Sequence, residues 1–145
     1  MLAGYAQPAS KKKKVPDYPR SRATRYKSSH WLVVDTWTTN SDSGASFGSI
    51  CVYRKKRPVW FMQYAGAYPK TVIWFLKDAL RDNYEKRVFT GGRGYFEYAV
   101  ADSPLEYRNI VNASGFDKFN GREEIRRQGV TLGYHFYIGG LMINT

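Results

Sequence analysis

Alternation of large apolar and polar positions dominates this chain from Trp31 onward. In Arg57-Pro-Val-Trp-Phe-Met-Gln-Tyr-Ala-Gly66, Trp60, Met62 and Tyr64 recur at every second residue and Gly66 ends the run. Period-two spacing places the three side chains on one face of a strand. The same reading gives strands at Trp31–Trp37, Phe47–Tyr53, Pro58–Tyr64, Tyr95–Val100, Leu105–Val111, Phe119–Ile125 and Val130–Ile138. Gly139-Gly140 is read as a break or bulge before Leu141–Ile143. Asn40–Gly44, Arg54–Arg57 and Gln128-Gly129 read as turns.

One stretch follows another period. Val72, Leu76, Ala79 and Leu80 recur at helical spacing between Pro69 and Tyr84. Pro69 suits a first helical turn. Lys70, Trp74, Lys77, Asp78 and Arg81 fall on the other side, where Trp74 is out of place and is expected to lie under a loop or strand, the alternative being a contact residue flanked by Lys70, Lys77 and Arg81. The predicted class is α+β: a curled, mainly antiparallel sheet of about seven strands with one main helix packed on a face.

Charge divides the chain in two. Residues 1–30 hold eight Lys or Arg against Asp17, a charge of +7, whereas residues 31–145 carry a mild +4. Residues 1–28 therefore read as a basic flexible arm and 29–145 as a single domain. The Lys11-Lys12-Lys13-Lys14 block repels itself. Pro8, Pro16 and Pro19 favour extended backbone. Arg20, Arg22, Arg25 and Lys27 are interleaved with Tyr18 and Tyr26, a mixture suited to phosphate contact and base stacking. Arg54, Lys55, Lys56 and Arg57 add a second basic cluster in a turn. No apolar run is long enough for a spanning helix, and the opening residues lack a signal-peptide core. Cys51 is the lone cysteine, which excludes an intramolecular disulfide and fits a reducing, cytoplasmic setting. Lys11–Val15 would serve nuclear import only in a eukaryotic host.

The chemical inventory is thin. Glu123 and Glu124 are adjacent strand residues, so they point to opposite faces and cannot act together as acid and base. Glu123, among apolar neighbours, is a weak catalytic candidate with His135, and a structural pair with Arg93 or Arg108 is the plainer reading. Phe89–Gly94 is glycine-rich but lacks nucleotide-loop spacing, and it reads as a turn, with an anion site at Arg93 as the alternative. No ligand spacing announces a metal, and no cofactor is implied.

Together these phrases resemble a known family. Pro58-x-Trp60-x-Met62-x-Tyr64-x-Gly66, Phe75-Leu76-x-x-Ala79-Leu80, Phe119-x-Gly121-x-Glu123-x-Ile125 and Tyr134-x-x-Tyr137-x-Gly139-Gly140 are similar to a family of small uncharacterised bacterial domains. The resemblance covers residues 31–143, with Asp35 in the family's acidic position. It implies a strand-rich body found alone or behind helix-turn-helix modules, and no agreed activity. After Phe47-Gly48, the family's usual acid is replaced by Ser49, Ile50 and Cys51.

The leading expectation is a non-enzymatic, nucleic-acid-associated protein contacting its partner through the basic arm. The alternative is a ligand pocket lined by Asp35, Trp60, Tyr64, Arg93 and Tyr137, or a module for a protein partner or a homodimer. A hydrolase or nuclease built on Glu123 and His135 ranks below these. No membrane partner is expected.

Overall fold

The computed structural model describes residues 12–91 and 93–143. Its strands are β1 (Lys13–Lys14), β2 (Ser21–Lys27), β3 (Trp31–Thr39), β4 (Ala45–Arg54), β5 (Arg57–Ala67), β6 (Glu97–Ala99), β7 (Leu105–Ser114), β8 (Lys118–Arg127) and β9 (Val130–Leu141). They form one sheet ordered β1-β2-β3-β4-β5-β9-β8-β7-β6, and every ladder is antiparallel. Two meanders thus meet where β5 pairs with β9.

The expected count of seven strands is corrected to nine among the described residues. The two additions are β1 and β2, inside the segment read as an arm. Proline and like charge argue against packing, but neither bars an edge strand, where lysine and arginine side chains stay in water. Ser21–Lys27 pairs along its whole length with β3. Lys11 lies outside the described residues. Gly139-Gly140 does not break β9, which runs through Leu141.

A 3₁₀ turn at Lys70–Val72 leads into α1 (Ile73–Glu85). Phe75, Leu76, Ala79 and Leu80 are its buried stripe, packing on Tyr107 and Ile125 of the sheet. Trp74 is 53% exposed, so no loop or strand among the described residues covers it. Its neighbours along that side are charged, and its ring meets only the edge of Phe75 among the aromatic contacts described. No helix among the described residues is long and apolar enough to cross a membrane.

One helix cannot cover nine strands. A second cluster on the same face, built from Val33, Ile50, Val52, Trp60, Met62, Phe119 and Tyr137, is closed by Phe89 from the segment after α1. Among the described residues the opposite face has no such cover, and Phe47, Ile110, Phe136 and Ile138 are exposed there.

Candidate functional site

Cross-strand partners share a face, so the register sorts every candidate residue. The helix-side face carries Asp35, Trp60, Tyr64, Glu123, His135 and Tyr137. These residues interlock. Trp60 is 2% exposed, stacks on Phe116 and Phe119, and donates its indole N–H to the Phe116 carbonyl at 3.1 Å. The Tyr137 hydroxyl donates to Asn109 Oδ1 at 2.5 Å. The Tyr64 hydroxyl donates to Asp35 at 3.3 Å, and the Arg93 guanidinium lies 4.3 Å over its ring. Of the five pocket candidates, Asp35, Trp60 and Arg93 sit in this packed polar core and line no open cavity, whereas Tyr64 and Tyr137 also border the open cleft described below.

Glu123 is the centre of that core. Neighbouring β8 and β9 place it opposite His135, and it has no exposed surface. Arg93 Nη1 donates to Glu123 Oε1 at 3.0 Å and the Tyr107 hydroxyl donates to Oε2 at 2.9 Å. Burial alone would raise the carboxyl's pKa, but Arg93, with His135 and Tyr107, outweighs it and holds Glu123 below its ordinary range. Burial also pushes the Tyr107 hydroxyl well up, with Glu123 adding to it, so it remains a donor.

His135 Nδ1 lies 2.9 Å from Arg93 Nη1 and 3.3 Å from Glu123 Oε1. A guanidinium can only donate, which favours Nδ1 as acceptor, whereas the Glu123 carboxylate can only accept, which favours a hydrogen on Nδ1. Burial lowers the pKa of His135 and favours the neutral ring. Nε2 lies 2.9 Å from Ser46 Oγ, and the tautomer decides which of the two donates. The row Ser46, His135, Glu123 has the outline of a nucleophile, base and acid. The direction of the Ser46–His135 hydrogen bond follows the tautomer of His135, which Arg93 and Glu123 press opposite ways. The arrangement locks β8 and β9 to the segment that carries Arg93, which is the partner of Glu123, as Arg108 is not.

The glycine-rich loop belongs to the same lock. Asn109 Nδ2 donates to the carbonyls of Gly91 and Gly94, at 2.9 Å each, and Asn83 holds the Arg93 carbonyl at 3.1 Å. Gly91 sits at φ +82°. Arg93 points into the sheet, so no anion site forms on its guanidinium. Among the described residues no cluster of three or more His, Cys, Asp or Glu could hold a metal.

Glu124 faces the other side, where Arg122 lies 3.1 Å away and Arg126 at 3.6 Å. That side contains the open site. A cleft of about 910 Å³ is lined by Val15, Tyr18, Phe47, Gln63, Phe136 and Ile138, among others, and no charged residue lines it. Two cross-strand rows make its floor. Thr36, Ser49, Gln63, Ile138 and Asn120 are successive partners, followed by Thr38, Phe47, Ala65 and Phe136, beyond which the second row leaves the cleft at Arg122. Phe47 is 61% and Phe136 55% exposed.

Cations bound the floor on both sides. Lys13 extends the first row through Ala23, and Arg25 lies across from Val34 on the same face. On the β8 side stand Arg122, whose guanidinium covers the rings of Tyr134 and Phe136, and Lys118. Lys14 and Arg22 pair on the helix-side face. Lys12 lies over the Trp37 ring, and Arg20 donates to Ser41 at 2.7 Å. At one end of the sheet Lys27 is exposed, the Arg54 guanidinium stacks over Trp31, and Lys55 and Lys56 form the β4–β5 turn before Arg57.

That turn is strained. Lys55 and Lys56 have φ +48° and +68°, the two-residue hairpin geometry that Asn-Gly adopts at lower cost. The Lys55 amide is tied to the His30 carbonyl of the neighbouring turn at 2.9 Å.

Of these features, the aromatic floor was missed from sequence. The signal lay in β9, where Tyr134, Phe136 and Ile138 alternate with His135 and Tyr137, so both faces are large. Residues 43–142 match a family model described as a domain of unknown function, DUF5680. The matched stretch starts in the turn before β4 and includes Phe47, Gln63, Ala65, Asn120 and Phe136. No curated protein and no solved structure matches the chain.

Proposed function

We propose that this chain, which belongs to the DUF5680 family of unknown function, binds single-stranded nucleic acid across the sheet face turned away from α1. One observation carries the reading: an uncharged floor with exposed Phe47 and Phe136 is flanked on both sides by Lys and Arg. Such a combination stacks bases on rings while cations follow the phosphates. A duplex keeps its bases stacked on one another and offers little to such rings. The strained Lys55-Lys56 turn supports the reading, since backbone strain at exposed cations is a reason to look for a contact there.

Fluorescence anisotropy of labelled oligothymidylate, oligouridylate and duplex DNA, each at 50 and 200 mM salt, tests it. Single strands are expected to bind more tightly than duplex. Affinity should fall with salt, with a log–log slope of about 0.7 per phosphate contacted. Absent or salt-independent binding of the single strands would overturn the proposal.

A further inference from the structure

We infer that Phe47, Ala65 and Phe136 form a seat for one flat, uncharged heteroaromatic ring, with Gln63 and Asn120 placed to read its edge. This is the chemistry of a nucleobase. The inference rests on the nucleic-acid reading given above for the same face and adds to it a defined slot.

The slot follows from register. β5 lies between β4 and β9, so Phe47 and Phe136 are two strands apart with Ala65 between them. Neighbouring strands are spaced about 4.8 Å, which sets the two backbones roughly 10 Å apart. A ring stacked between two others needs about 7–8 Å between the outer rings. Ala65 offers only a methyl group, so the space above it is not filled from below. Arg122 covers Phe136 at 5.6 Å from the β8 side. The ring is thereby backed on that side, and Ala65 and Phe47 lie on the other, across β5.

The adjacent row supplies hydrogen-bonding groups of one kind. Gln63 stands two residues from Ala65 on the same face, about 7 Å along the strand. Asn120 is the partner of Ile138, two residues from Phe136. Primary amides present one acceptor and two donors side by side, which matches the paired donor and acceptor of a base edge. No Lys, Arg, Asp or Glu lines the cleft, although the chain carries +11. An anionic group is therefore expected outside the seat, at the flanking cations, and an uncharged ring within it.

The test uses 2-aminopurine, whose emission is quenched by stacking, as the free riboside and as one residue within an oligothymidylate. The strand should be retained with saturable quenching. Ala65→Trp, which fills the slot from an exposed position, should weaken the quenching about tenfold, and Phe136→Leu should act likewise. Both variants should keep salt-dependent retention of the strand, and a melting curve confirms that each is folded. A strand that is retained without quenching, or with quenching that Ala65→Trp leaves unchanged, overturns the seat and leaves the nucleic-acid reading standing. Saturable binding of the riboside with no retention of the strand supports the seat and overturns the nucleic-acid reading. No binding of either overturns both. Quenching that appears only after removal of residues 1–11, or that is lost as the protein self-associates, assigns the face to the chain itself or to a second copy and overturns the seat.

Discussion

Replacing Lys55 with Asn and Lys56 with Gly should make the protein more stable and its nucleic-acid binding less sensitive to salt. Both lysines lie at positive φ in a two-residue turn joining Arg54 to Arg57. A non-glycine L-residue in the left-handed region costs about 1–2 kcal/mol, and Asn-Gly is the low-cost solution for this turn. Part of that cost is already met in the unfolded chain, where glycine is freer, so the expected gain is about 1–2 kcal/mol. For a chain of this size that corresponds to a rise in Tm of about 3–8 °C. If both lysines touch phosphates, their loss lowers the single-strand salt slope by about 1.4. Thermal melts and anisotropy titrations at several salt concentrations measure the two effects. No gain in Tm would refute the strain argument. A gain in Tm with an unchanged salt slope would show that the turn touches no nucleic acid.

Three other outcomes follow from the covered face and a fourth from the sheet edge. Arg93→Met leaves Glu123 charged and uncompensated in the core, at an expected cost of about 3–5 kcal/mol; adding Glu123→Gln should recover part of it in urea unfolding, and additive losses would refute the pairing. Stability should also depend on pH in one direction. His135 is depressed by burial, so its contribution is whole above about pH 6.5 and declines as the unfolded state gains a proton below that; Glu123 is also depressed, so its contribution fades only below about pH 4.3. A urea midpoint that rises on acidification from pH 7.5 to 5 would contradict this. Gly121→Ala places a methyl 2.3 Å from the Tyr137 hydroxyl and 2.5 Å from the Ile110 carbonyl, and should lower Tm by several degrees. Truncation through Ser28 removes β1 and β2 and exposes the long edge of β3; the expected outcome is loss of solubility, and a truncated protein with unchanged Tm would mean that these strands add nothing.

The alternation in the sequence was enough to locate seven strands and the helix, because Trp60, Met62 and Tyr64 or Leu76, Ala79 and Leu80 each carry an unambiguous period. β2 was not legible. Ser-Arg-Ala-Thr-Arg-Tyr-Lys alternates only weakly, and its pairing with β3 is a tertiary fact that overrides the local charge. The candidate site was legible as a set of residues but not by its role. Glu123, Arg93 and His135 do converge, yet convergence alone does not separate a reactive group from a satisfied one. What separates them is the direction of the hydrogen bonds at His135, which its tautomer decides and no residue pattern encodes. The open floor was hidden for a further reason. Phe47 and Phe136 look like core residues until one counts what is available to cover them. Among the described residues a single amphipathic helix and one loop suffice for one face of this sheet and leave nothing for the other.

The alternation of β9 also divides its tolerance to change. Gly133, His135, Tyr137 and Gly139 are buried, whereas Tyr134, Phe136 and Ile138 are exposed. Substitutions from 133 to 139 should therefore sort by parity in a mutational scan, with odd positions intolerant for folding and even positions free to vary in what the surface recognises. Descendants of such a chain can retune recognition one even residue at a time without risk to the lock behind it. A single-residue insertion within β9 is the one change that no compensating substitution could repair, because it would exchange the two sets across the whole remaining strand.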